Sequence, residues 1–368
     1  MHNYETIHLG YSGAGYDPSP AVMDAIVASL SEINAYPYEG YDELNSLIAQ
    51  YCGVKAENVL VTNGGDEAIE IITNLYGKRV LIPTPTYGEY AYLARNRGSM
   101  IRYRDSISDD NYKISFAKDD LEWATLGWIC NPNNPTGTVI PRETIIEVLK
   151  DTGATIVVDE AYYEFSGESV ADLIEEYSNL IVLRTFSKGF GIAGLRLGYV
   201  LTKRETIERM KNAKQEFNVN RVARAAGIAA LKDLDYYLEK IGNAKRIRDS
   251  FERSCMENGI KVMKSHGGFV FLKFRSMEEM SFVHSRLEEN GIVTFNSSDA
   301  EFSKLNGPYI RIAVGSEKDM ESAKAALAKV LSEARPDSNG HKGRFSSMRA
   351  SASPALSQCV SEQVNADG

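Results

Sequence analysis

The chain has 368 residues, of which 43% are hydrophobic and 25% charged, enough for one large domain, a smaller one and a sizeable apolar core. Those proportions exclude a disulfide-stapled miniprotein and a globally disordered chain. Forty-one Lys and Arg against fifty Asp and Glu give a net charge of −9, which disfavours nucleic acid and anionic membrane as partners.

The N-terminus MHNYETIHLGYSG has no basic region followed by an apolar run, and no stretch reaches the roughly 18 apolar residues of a membrane span. Cys52, Cys130, Cys255 and Cys359 lie far apart without metal-ligand spacing, so reduced thiols and a cytoplasmic setting are expected. Short aliphatic runs then recur: NVLVT at 58–62, RVLIP at 79–83, GWIC at 127–130, TIVVDE at 155–160 and LIVLRT at 180–185. Without polar alternation they suit strands covered on both faces, as in a mostly parallel sheet. Helical spacing over 66–75, 142–150 and 203–214 completes an α/β pattern.

An amphipathic stretch at 238–254 predicts a long helix leaving the sheet domain. Beyond it, GGFVFLKF at 267–274 and YIRIAVG at 309–315 alternate as half-covered strands, with helices expected at 277–290 and 317–333. The expected division is an N-terminal segment 1–35 that joins the small domain and walls the substrate, a large α/β domain 36–244, a small α+β domain 245–333 and a disordered tail 334–368.

The unusual residues cluster at the expected strand ends, where open α/β sheets bind ligands. Lys188 follows LIVLRT in RTFSKGFGIAGLRLGY, beside glycines that permit close backbone approach; its amine is a candidate nucleophile. Thr185, Ser187 and Arg196 supply two hydroxyls and a guanidinium to one anion. Asp159 closes an apolar strand and needs a partner for its charge: a protonated ring nitrogen, unless it caps a helix or binds a metal. NPNNPTG fixes the directions of Asn131 and Asn134, and VTNGGDE opens a helix whose free N–H groups can receive a phosphate. Tyr87 offers a stacking face, and Arg311, inside an apolar strand, demands an anion, either a substrate carboxylate or a structural carboxylate. An amine, an acid for a ring nitrogen, a phosphate cup, a stacking ring and a carboxylate clamp are what pyridoxal 5'-phosphate (PLP) chemistry requires.

With NPNNPTG, VVDEAYYEF, RTFSKGFGIAGLRLGY and YIRIAVG in that order, the chain resembles the fold-type I, class I/II aminotransferases, and particularly their histidinol-phosphate aminotransferase-like branch. The resemblance implies a mostly parallel seven-stranded sheet in the large domain, PLP as cofactor and a homodimer with shared active sites. It implies that Lys188 bonds covalently to the cofactor aldehyde, Asp159 pairs with the ring nitrogen, and Tyr162 and Asn134 contact the ring hydroxyl. Gly65, Asp66, Thr185, Ser187 and Arg196 would surround the phosphate, with Tyr36 contributed to the neighbouring subunit. Tyr87 would stack on the ring, Arg311 would hold the substrate α-carboxylate, and Tyr16 would help wall the substrate.

Two segments depart from the family pattern. SGAGYDPSP keeps Tyr16, Pro18, Ser19 and Pro20 but lacks the usual Asn and Glu, and NGIVTFNSSD has Thr294 and Phe295 where relatives that bind phosphorylated substrates have an Arg. The expected reaction is therefore transfer of the α-amino group of an unphosphorylated amino acid to a keto acid. The same residues also suit a PLP-dependent lyase, cyclase, decarboxylase or oxidase of an amino acid, with a basic one as a candidate, or histidinol-phosphate aminotransferase itself.

Overall fold

The structure is a computed structural model that describes residues 6–11, 13–108, 111–299 and 302–335. Tyr4, Ser12, Cys359 and the expected tail from 336 onward lie outside the described residues.

Seven strands make the principal sheet: β1 Val59–Thr62, β2 Arg79–Thr84, β3 Met100–Asp105, β4 Leu126–Cys130, β5 Thr155–Asp159, β6 Leu180–Thr185 and β7 Gly198–Leu201. Their spatial order is β1-β7-β6-β5-β4-β2-β3, and only β7 runs against its neighbours. Alternate residues feed two cores, with Val59, Val61, Ile156, Val158 and Val182 in one and Leu60, Val157, Ile181 and Leu183 in the other. This double coverage is why the strands read as unbroken apolar runs.

β3 and β7 were absent from the expected strands. MIRYRD in β3 is a sheet-edge strand in which charged and apolar residues alternate, and β7 is hidden inside the glycine-rich run after Lys188. The helix expected over 203–214 is shorter, Arg204–Lys211, with Asn212 as its C-cap.

A second, antiparallel sheet has the order β8-β9-β11-β10, from β8 Lys261–Met263, β9 Phe269–Lys273, β10 Phe295–Asn296 and β11 Tyr309–Ala313. Helices Met277–Glu289 and Glu317–Ala334 cover it; the latter takes in Ala334, the first residue of the expected tail. The chain start joins this unit, since Ile7–His8 pairs with Ile292–Val293 and Leu9 enters its core. Helix Pro20–Ser29, by contrast, packs on helix Arg221–Lys232 of the larger unit. The long helix Leu234–Glu257 passes between the two cores: Tyr237, Ile241 and Ala244 belong to the first, and Phe251 and Cys255 to the second. Among the described residues, no helix is long and apolar enough to cross a membrane.

Candidate active site

Strand register gathers the chemistry at one edge of the principal sheet. Thr62, Cys130, Asp159 and Thr185 are the last residues of β1, β4, β5 and β6, and Gly198 opens β7 directly between Thr62 and Thr185. Gly198 has to lack a side chain: a Cβ there would lie 2.7 Å from the Gly64 carbonyl carbon and 3.0 Å from the Gly65 nitrogen. Gly64 has to as well, because at φ +78° its backbone is in the left-handed region that strains any side chain, and its bare face lies against the Arg196 guanidinium. The sequence thus brings bare backbone at the start of helix Gly64–Tyr76 against the strand ends.

Around that cradle, Thr185 Oγ1 donates to Ser187 Oγ at 3.0 Å and accepts the Ser187 N–H at 3.1 Å. Arg196, in the left-handed conformation at φ 54°, donates from Nη2 to Asp66 Oδ2 at 2.7 Å. The other Asp66 oxygen accepts the Tyr87 hydroxyl at 3.3 Å. Free helix N–H groups, two hydroxyls and a guanidinium form a donor set suited to a phosphate, and the Asp66 carboxylate orients the guanidinium.

Asp159 is buried, and burial pushes its carboxyl up to about 6. Opposing that rise, Tyr90 donates its hydroxyl to Oδ2 at 2.5 Å, the Ala161 N–H reaches Oδ1 at 3.0 Å, and the Lys188 ammonium lies near enough to favour the charged form. A buried acid so poised suits a cationic ring nitrogen. Lys188 Nζ lies 5.6 Å from the Tyr162 ring centroid, and Tyr162 is itself buried edge-on against Phe269 at 5.1 Å. Tyr16 donates its hydroxyl to the carbonyl of Gly189, next to the lysine, at 2.6 Å, and burial raises that hydroxyl's pKa.

Arg311 is fully buried on β11. Its Nη1 donates to Asn134 Oδ1 and its Nη2 to the Gly10 carbonyl, both at 2.6 Å. Phe302, Phe295 and Phe269 place their ring centroids 4.9, 5.3 and 5.5 Å from the guanidinium carbon. The NPNNPTG turn that holds Asn134 is itself locked, since Asn133 Nδ2 donates to Pro85 O at 3.1 Å and its Oδ1 accepts the Thr86 hydroxyl at 2.9 Å.

Gly65, Asp66, Tyr87, Asp159, Thr185, Ser187, Lys188 and Arg196 are thus brought together at the strand ends, while Asn134, Tyr162, Tyr16 and Arg311 line the side toward the second sheet. Tyr36 stands apart at 63% exposure, on a loop against Phe217. Sequence reading missed Tyr90, Phe269 and Phe302, and singled out Phe295 without linking it to Arg311. Tyr90 sits three residues after Tyr87, in the first turn of helix Glu89–Asn96, and that nearness to a singled-out tyrosine was the available signal. The phenylalanines come from three separate segments and left none.

Comparison with known proteins accords with this geometry. The family "Aminotransferase class I and II" matches residues 5–327. The histidinol-phosphate aminotransferase of Caldanaerobacter subterraneus subsp. tengcongensis is 35% identical over 313 residues, covering 83% of this chain and 87% of that protein. The crystal structure of the histidinol-phosphate aminotransferase from Clostridium acetobutylicum superposes with a TM-score of 0.80 at 28% identity, covering 88% of this chain and 99% of the other. That of the Sinorhizobium meliloti histidinol-phosphate aminotransferase, solved in complex with pyridoxal 5'-phosphate, gives 0.79 at 25% identity over 88% and 90% of the two chains. A phosphate cradle that excludes side chains, a buried acid and a neighbouring lysine fit the same cofactor here. The chain belongs to the class I and II aminotransferase family, in its histidinol-phosphate aminotransferase-like branch, and is a PLP-dependent aminotransferase of fold type I.

Proposed function

We propose that the enzyme is a histidinol-phosphate aminotransferase, moving the amino group of that phosphorylated amino alcohol to a keto acid. The relatives support this substrate better than the unphosphorylated amino acid expected from Thr294 and Phe295. The observation that carries the reading is the buried Arg311 guanidinium, held by Asn134 and Gly10. Histidinol phosphate bears its phosphate on the carbon that is the carboxyl carbon of an amino acid. One anion clamp can therefore serve the phosphate in the first half reaction and the keto-acid carboxylate in the second.

When bound, PLP supplies an aldehyde carbon that takes the amino group and an electron-poor ring that holds the charge left by the departing α-proton. Lys188 is placed to be the amine that would hold that carbon, and its ε-amine the base that would carry the α-proton. Asp159 keeps the ring nitrogen protonated, and Tyr162 and Asn134 bond the ring hydroxyl. Gly65, Asp66, Thr185, Ser187 and Arg196 bind the phosphate, Asp66 by its backbone N–H, and Tyr87 stacks on the ring. Tyr16 walls the substrate.

Tyr36 completes the phosphate site of a second copy, so the working unit is a homodimer. Its exposure supports this, as do the exposed apolar side chains Met23, Val27, Leu30 and Ile33 that precede it in the chain. The buried thiols Cys130 and Cys255 suit a cytoplasmic setting.

The test is kcat/KM for histidinol phosphate and for free amino acids, histidine and arginine among them, each with 2-oxoglutarate. The reading requires a preference for the phosphorylated substrate of about tenfold or more, the worth of one charged hydrogen bond. One observation favours the unphosphorylated substrate: Thr294 Oγ1, where the family's phosphate-binding Arg is replaced, is buried without a hydrogen-bond partner among the described residues. Preference for a free amino acid would establish that reading. Release of carbon dioxide, ammonia or a cyclised product, with the cofactor returned unchanged, would replace both.

A further inference from the structure

We infer that Arg221 is a positioning residue for the cofactor phosphate, fixing the loop that presents Tyr36 to the neighbouring subunit. The inference rests on the reading above that Tyr36 reaches that phosphate. The loop before helix Asp42–Cys52 carries Tyr36 and Tyr38 at 63% and 77% exposure. Its own backbone bonds are local: Ala35 N–H to Glu32 O at 3.1 Å, Tyr38 N–H to Tyr36 O at 2.9 Å and Gly40 N–H to Pro37 O at 3.3 Å. Local turns alone would leave the ring free to swing with the loop, whereas a hydrogen bond across a subunit boundary needs its donor held in place.

Arg221 supplies the hold. Its Nη2 donates to the Tyr36 carbonyl at 3.1 Å, and its Nη1 donates to Glu32 Oε2 at 2.7 Å and to Glu39 Oε1. One guanidinium thereby grips the loop before, at and after Tyr36. The side chain is 13% exposed and grows from the first residue of helix Arg221–Lys232, a start capped by Asn220 Oδ1 accepting the Ala223 N–H at 2.8 Å. A cation there opposes the helix dipole, so its placement serves the three acceptors rather than the helix. Their divergent directions call for a planar fork with several donors, which lysine lacks. Phe217 backs both rings, 5.1 Å from Tyr36 and 5.8 Å from Tyr38.

The experiment measures binding of PLP, and of pyridoxal without its phosphate, to the full chain stripped of cofactor, as wild type, Arg221→Ala, Arg221→Lys, Tyr36→Phe and the Ala/Phe double variant. Sedimentation reports the oligomeric state of each. Tyr36→Phe and Arg221→Ala should each weaken PLP binding by about tenfold to a hundredfold, the range of a hydrogen bond to a charged group. The double variant should be no weaker than the worse single one, Arg221→Lys should fall between, and pyridoxal binding should stay within about twofold. If Tyr36→Phe binds PLP normally, the Tyr36 reading falls and takes the inference with it. If Tyr36→Phe weakens binding while Arg221→Ala does not, the inference alone falls. Equal weakening of PLP and pyridoxal by Arg221→Ala, or a monomeric Arg221→Ala, would overturn the positioning role in favour of a purely structural one.

Discussion

Replacing Tyr90 with Phe removes the hydrogen bond that keeps Asp159 ionisable. The phenol is fully buried, its ring stacked on Trp128 at 4.5 Å and 6°, so the variant retains the packing and loses only the hydroxyl. The lost bond, 2.5 Å to Asp159 Oδ2, favours the charged carboxylate against a burial that has already raised the group to about 6. A buried hydrogen bond to a charged group contributes about 1.5–3 kcal/mol, and about 1.4 kcal/mol corresponds to one pH unit. The variant's carboxyl should therefore titrate about one to two pH units higher. PLP binding across pH 5–9 reads this, because the proposed pairing with the ring nitrogen needs Asp159 charged. The acid limb of the binding curve should move upward by that amount, with binding at pH 9 nearly unchanged. An unmoved acid limb would refute the coupling of Tyr90 to Asp159.

Three further outcomes follow. Asp159 is raised above its ordinary value in the folded, cofactor-free protein, so the native state holds the proton more tightly than the unfolded one; stability should fall as pH rises from about 4 to 6. Asp159→Asn should flatten that slope, worth at most about 3 kcal/mol, in urea titrations at the two pH extremes, and a retained slope would assign it to another group. Gly198→Ala places a methyl against the Gly64–Gly65 backbone, which a side-chain shift cannot relieve; it should lower both the melting temperature and PLP affinity, and wild-type values for both would refute the tight cradle. Arg311→Lys should raise KM for amino donor and keto acid alike by about tenfold or more, and an unchanged KM for either would remove the shared clamp.

Much of the fold was legible because both faces of the principal sheet are covered: β5 and β6 carry the apolar runs Ile156–Val158 and Leu180–Leu183 and end in Asp159 and Thr185. Edge strand β3 carries Arg102 and Arg104, which pair with Asp120 and break the apolar signal. The phosphate cradle was legible because glycine is required at fixed places by the close approach at Gly64 and Gly198. The surroundings of Arg311 were not. Phe269, Phe295 and Phe302 meet it only through the pairing of β9, β10 and β11 and the short ladder joining Phe302–Ser303 to Thr86–Tyr87, contacts that no local pattern encodes. The substrate expectation weighed the missing cation at Thr294 and Phe295 and gave Arg311 to a carboxylate alone, whereas the proposed function has that one buried cation serve either anion.

The central claim is that the ε-amine of Lys188 holds the cofactor. Borohydride reduction of the yellow holoenzyme, followed by proteolysis and mass spectrometry, should find the pyridoxyl mass on the peptide containing Lys188 and nowhere else. A label on another lysine, or a holoenzyme that releases all its cofactor after reduction, would contradict it.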